Sequence, residues 1–206
     1  MLIIGTGDHA SGLAHLFSIN NCRTSSGNFL EATKPSVTKK GSFLHDTGVP
    51  IVPFDDGLSN ADIIVLAIPA GAVNKFMTSY VSFLKGKIIV DATNSSIPGE
   101  DLHSILAMTT LKWVKAFNDI GAADVLLKKP GSKTKLISKI CSSHADAVKT
   151  VTAFAETSMG LQMKTVPYEQ YQAIANQQNS LGTEWIASVY IMFAVFALCE
   201  LYAMMR

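Results

Sequence analysis

Residues 3–14 read IIGTGDHASGLA, and this stretch decides the fold. Gly5, Gly7 and Ala10 fit the pattern G-x-G-x-x-A at the junction of a first strand and a first helix. Gly5 allows a tight turn, Gly7 lets the backbone approach a pyrophosphate, and the small Ala10 lets the helix pack closely on the strand. Because the helix N-terminus offers unpaired N–H groups to phosphates, the stretch predicts a dinucleotide-binding loop. The alternative is a tight turn that binds nothing.

Two longer apolar runs indicate the rest of the architecture. Residues 63–68 (IIVLAI) and 87–92 (KIIVDA) are apolar at nearly every position. Both faces of each strand should therefore be buried, as in the central strands of a parallel sheet. Helix-like stretches over residues 70–84 and 144–160 alternate with the strands. This alternation predicts an α/β fold, a doubly wound parallel sheet of the Rossmann type that binds NAD(P).

The domain organisation follows from where this alternation stops. We place a second strand near Cys22–Ser26, in a polar region that is weakly β-forming. After about residue 165 the pattern becomes helical. We therefore predict a dinucleotide-binding Rossmann domain over residues 1–165 and a C-terminal helical tail over residues 166–206.

Composition narrows the class of protein. The 206 residues are 48% hydrophobic and 16% charged, which suits a large buried core. A net charge of +1 gives no case for a nucleic-acid partner. Cys22, Cys141 and Cys199 are far apart, so they predict neither a metal site nor a disulfide framework. Reduced thiols and the lack of a secretory signal favour a cytoplasmic location.

The loop after the second strand favours NADP over NAD. An NAD site usually has an acidic residue there that holds the ribose 2′-OH. Residues 23–28 (RTSSGN) contain no acid, and the next acid is Glu31. Basic and hydroxyl groups suit a 2′-phosphate because they form charge-assisted hydrogen bonds. The basic residues are Arg23, Lys34, Lys39 and Lys40. A solvated polar loop is the alternative.

Four motifs in one order resemble a known family. The glycine stretch is followed by ADIIVLAIP (residues 61–69), GKIIVDATN (residues 86–94) and VKAFN (residues 114–118). The ordered set resembles the deazaflavin-dependent NADP reductases, and most closely the N-terminal oxidoreductase domain of the STEAP metalloreductases. The resemblance covers about residues 1–165. It implies a Rossmann domain that binds NADPH and passes its hydride to FAD or a deazaflavin.

The resemblance also implies a set of cofactor-binding residues at the carboxyl ends of the strands. The glycine loop would wrap the pyrophosphate, the end of the 61–69 run would border the ribose and nicotinamide, and the last two motifs would flank the redox face. The implied residues are Gly5, Thr6, Gly7, Asp8, His9, Ala10, Ala67, Ile68, Pro69, Asn94, Lys115, Ala116, Phe117 and Asn118. No catalytic side chain and no metal ligand is predicted.

Several of these residues have a plainer interpretation. His9 could touch a phosphate or the redox partner, or it could be a solvent-facing loop histidine. Lys115 and Asn118 could orient a carboxamide, or they could be strand-end polar residues without a ligand. We interpret Asp91 as a strand-end residue that bonds loop backbone, and we assign it no role in binding.

The sequence departs from the STEAP pattern in two places. Those domains have a Gly-Ser-Arg-Asn stretch after the second strand, whose Arg meets the 2′-phosphate. The nearest match here is Gly27 and Asn28, without the Arg, and Arg23 or a nearby lysine is the candidate substitute. Arg23 and Asn28 are therefore also predicted to bind the cofactor. STEAP proteins also continue into a haem-binding membrane domain, which residues 166–206 do not resemble, so haem and metal reduction are not implied.

The apolar stretch 185–205 has two interpretations. It is about long enough to span a bilayer, which would anchor the Rossmann domain to a membrane. Against this, Glu200 lies within it, and a carboxylate is costly in lipid. We favour a packed helix that forms a homodimer and keep the membrane anchor as the alternative.

These observations predict an NADPH-dependent oxidoreductase that transfers a hydride to a flavin or deazaflavin. One alternative is a reductase of a small imine or carbonyl substrate, similar to pyrroline-carboxylate reductase. The other is a non-catalytic NADP(H)-sensing module, which would bind the dinucleotide without turnover.

Overall fold

The structure, a computed structural model, describes residues 1–5, 7–19, 25–27, 52–94, 106, 109–121, 124, 125, 128, 129, 132, 135–167, 169 and 170. These lie in one compact unit, Met1–Tyr171. Candidate ligands Thr6, Arg23 and Asn28 lie outside the described residues, as do the side chain of Asp8 and nearly all of the predicted tail. The homodimer, its membrane alternative, the domain division and the cytoplasmic location therefore stay predictions.

Seven strands and four α-helices make up the described part. The strands are β1 (Leu2–Ile4), β2 (Ser25–Gly27), β3 (Ile63–Leu66), β4 (Ile88–Asp91), β5 (Lys112–Ala116), β6 (Ile137–Cys141) and β7 (Gln162–Thr165). The helices are α1 (Asp8–Ile19), α2 (Phe54–Asn60), α3 (Ala70–Tyr80) and α4 (Ala145–Ser158), with a 3-10 helix at Val81–Leu84. The second strand overlaps the position predicted for it, and the two longer predicted helices are α3, extended by the 3-10 helix, and α4.

The strands form one sheet in the order β2-β1-β3-β4-β5-β6-β7. Strands β1 to β5 are parallel, which confirms the predicted doubly wound class. The order reverses at β1, which pairs with both β2 and β3. In such sheets ligands bind outside the carboxyl ends of the strands at this switch point. We call the C-terminal ends of β1 to β5 the carboxyl edge.

One pairing in the sheet departs from the parallel arrangement, the pairing between β5 and β6. β6 is antiparallel to β5, with Lys115 opposite Cys141, and β7 is parallel to β6. β6 runs antiparallel to β5 because the chain leaves β5 at the carboxyl edge and enters β6 at the same edge. Ser138, at the start of β6, accepts a hydrogen bond from the backbone N–H of Phe117, directly after β5. The start of β6 therefore lies at the carboxyl edge.

Both faces of the sheet are buried, because successive strand residues point to opposite sides. Ile3, Val65, Val90 and Val114 belong to one hydrophobic cluster, together with residues of α1 and α4. Their strand neighbours belong to a second cluster with residues of α2 and α3; these neighbours are Leu2, Ile4, Ile64, Leu66, Ile89 and Trp113. Burial on both faces explains why the central strands are apolar at nearly every position and do not alternate with polar residues.

The described helices are short relative to a bilayer span. In the part of the chain that the structure describes, none is both long and apolar enough to cross a membrane. The stretch 185–205, on which the membrane interpretation depends, lies outside that part.

Candidate nucleotide site

Gly5 makes the turn between β1 and α1 possible. Its φ is 142°, a backbone conformation that side chains rarely adopt. A Cβ at this position would lie 2.4 Å from the carbonyl oxygen of Ala67 and 3.2 Å from the Cβ of Ala10. The backbone N–H of Ala67 donates to Ile4 at 2.9 Å, which continues the β1–β3 pairing past both strands. Gly5 and Ala10 therefore let three chain segments pack closely.

Gly7 is exposed, and its role differs from that of Gly5. A Cβ added there meets no atom of the described residues within 4 Å. Its carbonyl accepts a hydrogen bond from the N–H of Ser11 at 2.9 Å, which is the first helical bond of α1. The preceding N–H groups of the first turn have no partner within the helix. Open space beside a helix N-terminus fits the phosphates of a dinucleotide.

His9 lies in the first turn of α1 and is only partly exposed. Its Nε2 atom is buried and has no hydrogen-bond partner among the described residues. Burial lowers the pKa of His9 below its ordinary value of 6.5, while the negative charge of Asp119 raises it in part. The interpretation of His9 as a solvent-facing loop residue is therefore wrong for Nε2. The imidazole is a neutral group at the carboxyl edge with an unused polar atom.

The burial of His9 predicts a pH dependence of stability. In the unfolded chain its pKa is about 6.5, and in the fold it is lower. Between the two values the unfolded chain binds more protons, so the free energy of unfolding falls as the pH drops below about 6.5. We expect His9→Gln to flatten this part of the profile in urea unfolding series. The matched control is His144→Gln, beyond the end of β6 at the opposite edge, which should keep the slope. An unchanged slope in His9→Gln would contradict this account.

A buried ion pair joins the ends of β4 and β5. The Nζ of Lys115 lies 2.9 Å from Oδ2 of Asp91, and the two side chains are 6% and 1% exposed. Lys115 also donates to the carbonyl of Thr93. The Oδ1 of Asp91 accepts the N–H of Thr93 at 2.9 Å and its hydroxyl at 2.7 Å. Asp91 thus bonds loop backbone as interpreted from the sequence, and the pair itself was missed.

Two asparagines meet just beyond this pair. The Nδ2 of Asn118 donates to Oδ1 of Asn94 at 2.9 Å. Asn94 is exposed, whereas Asn118 is 6% exposed. The Oδ1 of Asn118 is buried and has no hydrogen-bond partner in the described part of the chain. Like Nε2 of His9, it is a polar atom at the carboxyl edge that a ligand could satisfy.

The turn after β5 is strained and firmly held. Phe117 has a φ of 69°, in the left-handed region that bulky residues avoid. Its N–H donates to the hydroxyl of Ser138 at 3.2 Å, and that hydroxyl donates to Oδ1 of Asp119 at 2.8 Å. The Oδ2 of Asp119 accepts the N–H of Lys139 at 2.9 Å. Asp119 and Ser138 were missed by sequence reasoning, although Asp119 directly follows the VKAFN motif.

The remaining candidates divide by their surroundings. Ile68 is buried, Pro69 is exposed and occupies the N-cap position of α3, and Ala116 is wholly buried in the core. The glycine loop, the backbone after β3 and the turn after β5 each follow the C-terminal end of a parallel strand of the same sheet. The structure therefore brings the glycine loop, the asparagine pair and the end of β3 to one edge. Lys115 is held by Asp91, and its contact with a ligand stays a prediction.

Comparisons with known proteins support this assignment. No curated protein matches the sequence. The family model "NADP oxidoreductase coenzyme F420-dependent" matches residues 1–95, which contain the glycine loop, β3 and β4. Among solved structures, a hypothetical protein from Sinorhizobium meliloti is 26% identical, with a TM-score of 0.65, covering 80% of this chain and 82% of that one.

Two other structures share the fold at lower identity. A proposed F420-dependent NADP-reductase from Arthrobacter sp. FB24 is 16% identical, with a TM-score of 0.70, over 90% of this chain and 93% of that one. Pyrroline carboxylate reductase from Plasmodium falciparum, with NADP bound, is 14% identical, with a TM-score of 0.60, over 91% of this chain and 66% of that one.

The fold and the family match together define an NADP-dependent oxidoreductase. The match to the coenzyme F420-dependent NADP oxidoreductase family covers residues 1–95, a little under half of the chain. This confirms the resemblance to the deazaflavin-dependent NADP reductases. The closer likeness to the STEAP domain stays a prediction.

Proposed function

We propose that this protein transfers a hydride between NADP(H) and a deazaflavin of the coenzyme F420 type. The observation that carries the proposal is the family match over residues 1–95, because it falls on the segment that builds the glycine loop. In the balanced reaction, NADPH, the oxidised deazaflavin and one proton give NADP⁺ and the reduced deazaflavin. NADPH supplies the hydride when it is bound. The protein positions the two cofactors and excludes water from the site.

The residues at the carboxyl edge fit that task. The N-terminus of α1 and the open space beside Gly7 would hold the pyrophosphate. The backbone after β3, from Ala67 to Pro69, would border the ribose. Partnerless polar atoms on His9 and Asn118 would orient the rings. Hydrogen-bond donors and acceptors that are already in place favour the alignment needed for hydride transfer, because they do not have to rearrange.

The family description favours a deazaflavin over FAD as acceptor, and the test compares both. NADPH is mixed anaerobically with the full chain and with coenzyme F420, FAD or FMN, and NADPH absorbance is followed. We expect rapid oxidation with the deazaflavin, slower oxidation with the flavins, and weaker activity with NADH. Binding of NADPH without oxidation by any acceptor would contradict the proposal and favour a sensing module.

A second candidate is reduction of a small cyclic imine. It is favoured by the shared fold with pyrroline carboxylate reductase, although the present chain spans 66% of that protein. The same assay with 1-pyrroline-5-carboxylate in place of the deazaflavin decides between them. Oxidation of NADPH with the imine and none with coenzyme F420 would favour this second function.

A further inference from the structure

Asn118 has an unused acceptor in a buried position. Its side chain is 6% exposed, and Oδ1 has no hydrogen-bond partner among the described residues. The amide is oriented by its other end, where Nδ2 donates to Asn94 at 2.9 Å. Because Oδ1 can only accept, the group that satisfies it must be an N–H or O–H donor. Buried polar atoms in folded proteins nearly always have partners, which points to a ligand.

The surroundings fix this acceptor in place. Phe117 before it takes the strained φ of 69°, and Asp119 after it is bonded to the hydroxyl of Ser138 and the N–H of Lys139. Strain that is held by several bonds is a common feature of binding sites. The Oδ1 of Asn118 is therefore already in position before a ligand binds, which lowers the entropy lost when the ligand orders the side chain.

The topology determines which half of a dinucleotide reaches Asn118. In Rossmann sheets the ribose of the adenosine half lies at the end of the second strand. Here β2 is on one side of β1, and β3, β4 and β5 are on the other. With the pyrophosphate at Gly7, the nicotinamide half must extend over β3 toward the end of β5, where Asn118 lies. The carboxamide of the nicotinamide ring carries an NH₂ group, which is a hydrogen-bond donor.

We propose that Asn118 recognises the nicotinamide carboxamide, with Oδ1 accepting a hydrogen bond from the carboxamide NH₂. This inference rests on the proposed binding of NADP(H) and adds the residue that selects the nicotinamide ring. Asn94 is a positioning residue, since it holds the Asn118 amide in the orientation that directs Oδ1 away from its own side chain.

The test compares NADP⁺ with its 3-acetylpyridine analogue, in which a methyl group replaces the NH₂ and the rest of the molecule is unchanged. Dissociation constants are measured by calorimetry on the full chain. We expect the wild type to bind NADP⁺ about 10-fold or more tightly than the analogue. Asn118→Leu, which is similar in size but has no acceptor, should bind the two ligands equally. Asn74→Leu, an exposed asparagine on α3, is the matched control and should keep the wild-type ratio.

Each outcome bears on a separate claim. A wild-type ratio near one overturns the inference, whether or not the Asn118 variant folds. A ratio that persists in folded Asn118→Leu also overturns it. If Asn118→Leu instead weakens coenzyme F420 binding with the ratio kept, Oδ1 serves the acceptor and the inference is wrong. If the wild type binds neither dinucleotide, it is the proposed function that fails.

Discussion

Gly7→Val is expected to weaken NADP(H) binding by about 100-fold or more and to leave the fold intact. Within the described part of the chain, a Cβ at Gly7 meets no atom within 4 Å, and the φ of Gly7 is outside the left-handed region, so valine costs the fold little. Its branched side chain would instead fill the space where the phosphates approach the backbone. Calorimetry with NADP⁺ measures the binding, and urea unfolding measures the stability.

The contrasting variant is Gly5→Ala, which should damage the fold itself. Its Cβ would lie 2.4 Å from the backbone oxygen of Ala67, and its φ of 142° is unfavourable for alanine. We expect a lower midpoint of urea unfolding for Gly5→Ala and an unchanged one for Gly7→Val. Wild-type affinity in the Gly7 variant would refute the phosphate site.

Lys115→Met is expected to destabilise the protein by about 3–5 kcal/mol, because it leaves the carboxylate of Asp91 buried without its counter-charge. The matched control is Lys112→Met on the same strand, whose partner Asp146 is on the surface. Exposed pairs contribute little, so the control should unfold at nearly the wild-type urea concentration. Removing both charges, with Lys115→Met and Asp91→Asn, should restore much of the loss, because the asparagine oxygen can still accept the hydrogen bonds from Thr93. Equal losses in the two lysine variants would contradict this account.

The central strands could be predicted from the sequence because burial on both faces leaves a plain signal. β3 and β4 are almost wholly apolar, and the glycine pattern places β1 and α1. The reversal at β6 has no such signal. Strand direction depends on where residues 117–136 return the chain, and no periodicity in the amino acids specifies it.

The sequence indicated which residues share the carboxyl edge, but it indicated few of the hydrogen bonds between them. Motif order placed Asn94 and Asn118 at one edge, and the structure brings them within 2.9 Å. The left-handed turn at Phe117 was unpredictable because phenylalanine does not favour that conformation. Asp119 was missed for another reason, since its partners Ser138 and Lys139 are distant in sequence and only the reversed strand brings them near.

The reversal of β6 also gives the carboxyl edge an electrical polarity. Helices α1 and α3 follow parallel strands and so begin at this edge, each with about half a positive charge at its start. Helix α4 follows a reversed strand and therefore ends there, with the opposite sign. The ammonium of Lys128 donates to the carbonyl of Gly160, just past α4, and offsets that negative end. The electrostatic potential at the carboxyl edge is therefore positive near the ends of β1 and β3 and close to neutral near β6. This difference orients an anionic ligand before it contacts any side chain.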